Sequence, residues 1–345
     1  MNPEDLIAAE PSADLPGVPD LGASPVSDDR EWFSAAFRRL VDSIGGVVLG
    51  KEQEIALVVT AMIAEGHILL EDTPGTGKTS LAKSMAASIA GEHQRIQFTP
   101  DLLPADVVGV TIFDQREQQF VFHPGPVFAN VLLADEINRA SPKTQAALLE
   151  VMEEGQVTVD GETYAAPAPF VVIATQNPVE QAGTYRLPEA QLDRFLMKLS
   201  LGHPDRTAAL AILNGSASRG RPTTVTEPVL RVDEVSRMIA VAAAVHVDEA
   251  VLEYILTICD ATREDPRVRL GVSMRGALAL VRSAKAMAAS RGRGHVLPDD
   301  VKALAGPVLA HRLILDPDAE FSGATAAAVV RDIVEGAVPP AERAA

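Results

Sequence analysis

The chain has 345 residues, more than one small domain holds, and its 47% hydrophobic but only 4% aromatic content calls for an aliphatic core of helices on a sheet. A single cysteine excludes an internal disulfide and fits a reducing compartment, and a net charge of −17 weighs against a nucleic-acid partner, whose phosphates such a surface repels. No apolar run is long enough to cross a bilayer and no basic start with an apolar core marks a signal peptide, so a cytoplasmic protein without direct membrane insertion is expected.

Residues 1–29 carry Glu4, Asp5, Glu10, Asp14, Asp20, Asp28 and Asp29 among several prolines, with no Lys or Arg before Arg30. Such a stretch buries too little apolar surface to offset its ordering entropy. It reads as a solvated leader or as an arm that docks on a partner. From Glu31 the spacing of Trp32, Phe33, Phe37, Leu40 and Ile44 predicts a helix stopped at Gly45-Gly46. A second helix runs from Lys51 through Ile55, Val58, Val59 and Met62.

Short apolar runs then appear at His67–Leu70, Ile96–Phe98, Val131–Ala134, Phe170–Ala174 and Phe195–Leu201, most of them separated by helical stretches. This alternation predicts an α/β fold, a five-stranded parallel sheet covered by helices on both faces, with ligands at the carboxyl ends of the strands.

The first strand leads into Asp72-Thr73-Pro74-Gly75-Thr76-Gly77-Lys78-Thr79-Ser80, and Leu81, Met85 and Ile89 mark the helix that follows. Strand, Gly-rich loop and helix are the context of a phosphate-binding loop. Gly75 and Gly77 let backbone amides approach phosphates, the helix N-terminus adds partial positive charge, Lys78 reaches the β- and γ-phosphates, and the Thr79 hydroxyl can ligate Mg²⁺. Asp72 stands where the general pattern has Gly; Asp tolerates a positive φ, but its charge weakens phosphate binding unless it points away.

Val131-Leu132-Leu133-Ala134 ends in Asp135 and Glu136. Downstream of a phosphate loop, Asp135 is placed to hold Mg²⁺ through its water shell and Glu136 to orient and deprotonate the attacking water. Ser141 and Pro142 start a helix that Gly155 ends. Val157–Tyr164 alternates around Asp160-Gly161, a hairpin signal that fits a plain surface hairpin or a pore- or partner-facing device. Phe170–Ala174 runs into Thr175-Gln176-Asn177-Pro178; Asn177 either senses the γ-phosphate or is a turn residue before proline. After Pro204 only helices remain, at Arg206–Leu213, Val232–Val245, Asp248–Thr262, Arg275–Ala289 and Asp299–Leu313. The expected organisation is a tail at 1–29, a nucleotide-binding α/β domain at 30–204 and a small all-α lid at 205–340. Cys259 falls on the apolar face of one lid helix and reads as a buried small hydrophobe.

In this order, Asp135-Glu136-Ile137-Asn138-Arg139-Ala140, Gln145 through Glu154 (QAALLEVMEE), Ala174 through Pro178 (ATQNP) and Leu187 through Phe195 (LPEAQLDRF) resemble the MoxR family of AAA+ ATPases, in the clade with an insertion in the second helix. Gln97-Phe98-Thr99-Pro100-Asp101, Gly125-Pro126-Val127-Phe128 and Gly271-Val272-Ser273-Met274-Arg275 are also similar to that family. The resemblance runs from about 31 to about 315. It implies Mg²⁺-dependent ATP hydrolysis in a homo-oligomeric ring, a hexamer, coupled to chaperone-like remodelling or metal insertion, often with a von Willebrand factor A domain protein.

By the same resemblance Asn177 is sensor 1 and Arg194 the arginine finger reaching a neighbouring subunit. Arg275 is sensor 2, contacting the γ-phosphate from the lid. Val48, Leu49 and Gly50 lie by the adenine, and Val110–Phe122 holds the insertion. Met274 and Arg186 stand where the family often has proline. On the residues alone, Arg194 also reads as a salt bridge to Asp193 or Glu189, and Arg275 as a surface charge at a helix start. Two rival functions are a nucleic-acid-stimulated motor, disfavoured by the acidic balance, and a nucleotide-gated scaffold with little turnover, disfavoured by the presence of Asp135, Glu136, Asn177 and Arg194.

Overall fold

The computed structural model describes residues 27–72, 75–116, 118–176, 184–185, 187–217 and 227–340. Helix α1 (Ser27–Gly45) starts inside the stretch that composition assigns to the tail. Asp28 and Asp29 stand in its first turn, where carboxylates suit the helix dipole, and Asp29 accepts a hydrogen bond from Arg237. Helix α2 (Glu52–Ile63) leads to β1 (Ile68–Glu71), the phosphate loop and α3 (Lys78–Ser88).

Next come β2 (His93–Gln97) and α4 (Pro104–Val108), then an antiparallel hairpin of β3 (Gly109–Asp114) and β4 (Gln119–Pro124), apart from the main sheet and at the place of the implied insertion. Strand β5 (Val131–Asp135) and α5 (Pro142–Glu154) follow. Ser141 caps α5 by accepting from Thr144 N, and Gly155 ends it at φ 63°. The expected hairpin is β6 (Gln156–Val159) and β7 (Glu162–Ala165), turned by Asp160 at φ 51° and Gly161 at φ 87°. Strand β8 (Val171–Gln176), α6 (Glu189–Leu192) and β9 (Met197–Leu199) complete the sheet region.

The sheet runs β2-β5-β8-β1-β9 with every pairing parallel. Alternate residues of one strand face opposite sides. Ile68, Leu70, Val131, Leu133, Val171 and Ile173 join one core, while Leu69, Leu132, Ala134, Val172 and Ala174 join the other. Strand β2 begins three residues earlier than its apolar run, because it is an edge strand whose Gln94 and Arg95 face solvent.

Beyond the sheet lie α7 (Arg206–Ala217), α8 (Val232–Ala243), α9 (Glu249–Glu264), β10 (Val268–Leu270), α10 (Met274–Ser290), α11 (Pro298–Leu309), β11 (Ile314–Leu315), α12 (Pro317–Phe321) and α13 (Ala326–Gly336). The β10–β11 pair and α12–α13 extend the expected helix set. Cys259 is fully buried on α9, and burial pushes its thiol up to about 11, which suits a packing role. The first core is continuous from α1–α3 through one sheet face into these helices, with α10 lying against both α1 and α2. No helix among the described residues is long and apolar enough to cross a membrane.

Candidate active site

The phosphate loop opens at the carboxyl end of β1. Gly75 and Gly77 sit at φ 87° and 94°, a region that favours glycine, and a Cβ at either would meet nothing within 4 Å. An open concavity therefore faces the N-terminus of α3, where Lys78, Thr79 and Ser80 form the first turn. Lys78 Nζ donates to the Asp72 carbonyl at 3.1 Å, and Thr76 is buried. Thr73 and Pro74 lie outside the described residues.

The Asp72 carboxylate, 5% exposed, turns away from this concavity. Its Oδ1 accepts from Ser200 Oγ at 2.8 Å and Gly202 N at 3.0 Å, and its Oδ2 accepts from Leu201 N at 2.7 Å. Positive φ falls on the glycines instead of on Asp72. Val48 is buried, and Gly50, at φ 70°, lies so close to α7 that a Cβ there would stand 2.9 Å from Ala208. The Val48–Gly50 turn thus meets the start of the helical region.

Asp135 and Glu136 end β5 at the same edge of the sheet. The Thr175 hydroxyl donates to Asp135 Oδ1 at 2.6 Å and accepts from Glu136 N at 2.9 Å, while Arg95 Nη2 reaches Asp135 Oδ2 at 2.8 Å. Glu136 adopts φ 57° and ψ 50°, a left-handed conformation uncommon for a residue with a side chain. Its Oε2 accepts from Gln97 Nε2 and from Arg139 Nη1, each at 2.9 Å. Asn177 lies outside the described residues; its neighbour Gln176 donates to Glu71 Oε1 at 2.6 Å.

Arg194 and Arg275 stand elsewhere. Helix α5 carries the chain back to the amino edge of the sheet, where the Met152 carbonyl meets His67 Nε2 at 2.9 Å, just before β1. There Glu153 Oε2 forms an ion pair with Arg194 Nη2 at 2.8 Å, and its Oε1 accepts from Arg275 Nη2. Five residue steps of extended chain, about 17 Å, separate His67 from Asp72. Of the alternative partners of Arg194, Asp193 is otherwise engaged: it faces Arg312, 3.2 Å away, and accepts from Ser273 Oγ at 3.1 Å.

Comparison with known proteins decides the family. The family model described as "ATPase family associated with various cellular activities (AAA)" matches residues 67–197, and that of the AAA lid domain matches residues 260–333. Chaperone MoxR1 of Mycobacterium tuberculosis is 39% identical over 290 residues, 81% of this chain and 76% of that protein. The chain belongs to the MoxR-type AAA+ ATPases. The Bacillus subtilis protein YeaC is 47% identical over 307 residues, 89% of this chain and 96% of its own length. The crystal structure of a putative ATPase from Cytophaga hutchinsonii superposes with a TM-score of 0.84 at 37% identity, covering 89% of this chain and 96% of that one.

As a MoxR-type ATPase the protein binds and hydrolyses ATP. The open concavity at Gly75 and Gly77, with an ammonium and a helix N-terminus beside it, fits a triphosphate. Mg²⁺ keeps much of its water shell, so one hydroxyl, Thr79, and one carboxylate, Asp135, are a suitable oxygen donor set. Sequence reasoning passed over Gln97, Arg95, Thr175, Glu153 and Arg312. Gln97, Glu153 and Thr175 lie inside the quoted family motifs, but nothing in their spacing says which side chains they meet.

Proposed function

We propose that the protein is a Mg²⁺-dependent ATPase working as a head-to-tail ring, a hexamer by family resemblance, in which each nucleotide lies between the carboxyl edge of one subunit's sheet and the amino edge of the next. One observation carries this reading: Lys78 and Glu136 stand at one edge, and Arg194 at the other. An arginine at the amino edge is too far to serve its own phosphate loop, while a heterologous contact between such edges closes into a ring. The same separation makes the neighbour's γ-phosphate, rather than the subunit's own, the one that Arg275 serves.

In this reading the amides from Thr73 to Ser80 and the Lys78 ammonium hold the phosphates, and Val48, Leu49 and Gly50 flank the adenine. Magnesium on Thr79, and on Asp135 through water, supplies charge neutralisation at the β- and γ-phosphates. Glu136, aimed by Gln97 and Arg139, orients the attacking water and takes its proton. Asn177 reads the γ-phosphate. Residues 30–204 form the hydrolytic domain and 205–340 the lid. The name of the mycobacterial relative and the family resemblance support chaperone-like remodelling of a client complex in the cytoplasm, with a von Willebrand factor A domain protein as partner.

Glu136→Gln is expected to bind ATP but lose turnover about 100-fold or more. Arg194→Ala is expected to bind ATP normally and be inactive alone. Mixing the two variants should restore part of the ATPase rate, since each supplies what the other lacks. No recovery at any mixing ratio would refute the shared site.

A further inference from the structure

Glu153 is exposed at the end of α5 and spends each oxygen on a different arginine. Arg194 belongs to the sheet region, in the segment entering β9, and Arg275 to the first turn of α10. Each arginine gives only one Nη2 to this carboxylate. A guanidinium has five N–H donors, so most of each remains for another anion.

The backbone around Arg194 is gripped from the helical region. Arg312, 8% exposed, donates Nη1 and Nη2 to the Phe195 carbonyl at 3.1 and 2.9 Å and Nη2 to the Asp193 carbonyl at 3.3 Å. His311 Nε2 lies 3.1 Å from the same Phe195 carbonyl and 2.9 Å from Arg312 Nη1. Burial pulls the Arg312 guanidinium down to about 10, with Arg275 and Arg282 adding to the effect. Arg194 and Arg275 meet the two oxygens of one carboxylate, so their like charges stand close together and repel. Asp193 faces Arg312 and Ser273, which leaves Glu153 as the acid between the other two.

We propose that Glu153 is a positioning residue for hydrolysis in the neighbouring subunit, holding Arg194 and Arg275 together as one two-pronged cationic group presented to the neighbour's nucleotide. The proposal rests on the shared-site reading of Arg194. It makes Glu153 act in trans although it touches neither nucleotide nor its own phosphate loop.

The test mixes subunits of the full chain. Glu153→Gln keeps side-chain shape and removes the charge. Alone it should lower kcat about tenfold or more while the KM for ATP stays within about twofold, because its own phosphate loop is intact. Mixed with Glu136→Gln it should recover activity, since Glu136→Gln subunits present a correctly held arginine pair to competent Glu153→Gln sites. The double variant Arg194→Ala/Glu153→Gln should be no slower than Arg194→Ala alone. Glu153→Asp, which keeps the charge with a shorter reach, should fall between wild type and Glu153→Gln, and replaces it in the mixture if Glu153→Gln does not assemble.

Wild-type or higher turnover in Glu153→Gln overturns the proposal, and so does a defect that Glu136→Gln subunits fail to rescue while they do rescue Arg194→Ala. If Arg194→Ala is not rescued either, the shared site fails and the proposal falls with it.

Discussion

At the scale of single residues, Asp72 shows how one side chain can contradict a motif and still serve it. The general phosphate-loop pattern has glycine there, for conformational freedom. Here that freedom comes from Gly75 and Gly77, and Asp72 ties the start of the loop to the chain leaving β9. Restoring the pattern with Asp72→Gly should therefore harm the protein. It strips partners from the Leu201 and Gly202 amides and the Ser200 hydroxyl. The expected loss is about 2–4 kcal/mol, which calorimetry would record as a midpoint about 3–6 °C lower. An unchanged midpoint with tighter ATP binding would mean that the carboxylate is a burden on the phosphates after all. Nothing in the sequence around Asp72 reveals this role, because its partners lie about 130 residues away.

At the scale of elements, periodicity predicted the existence and type of the sheet strands and of the main helices, while their ends depended on local partners. The start of α11 is one example. Pro298, Asp299 and Asp300 suit a first turn by their chemistry, yet Asp300 is fully buried, which no helix-cap rule requires. It accepts from Leu297 N at 2.9 Å, Arg291 Nη1 at 2.7 Å and Arg293 Nη1 and Nη2 at 2.7 and 2.6 Å, locking α10 to α11. Asp300→Ala leaves these arginines facing each other over a cavity. A loss of roughly 3 kcal/mol is expected, seen as a lower urea midpoint. A midpoint equal to that of wild type would show that water replaces the carboxylate at no cost. The β10–β11 pair escaped the sequence reading for a related reason: its two short strands join through a long-range contact rather than a local pattern.

At the scale of the whole molecule, the helical region and the sheet share one core and meet around buried imidazoles. His67 donates through Nε2 to the Met152 carbonyl and accepts at Nδ1 from Val172 N, so its neutral form is fully bonded. Burial pushes His67 down to about 4 and His311 down to about 3, Arg312 adding to the second. The unfolded chain protonates both near pH 6.5, so below that pH it binds more protons than the fold does. Stability is thus complete above pH 6.5 and falls with acidification, by about 1.4 kcal/mol per pH unit for each histidine until its folded value is reached. Thermal midpoints between pH 7 and pH 5 should drop in the wild type and drop less in His311→Gln. Parallel profiles would show that His311 is not a source of the acid sensitivity.

Local chemistry in the chain was enough to specify a parallel sheet, a phosphate loop with its acids, and a helical second region, because each depends on residue types at short spacing. The amino acids alone could not say that Gln97 and Arg139 aim Glu136, that Asp72 faces β9, or that Arg194 and Arg275 converge on Glu153 at the opposite edge of the sheet. Most of those contacts join residues far apart in the chain, and only the order and direction of the strands bring them within bonding distance.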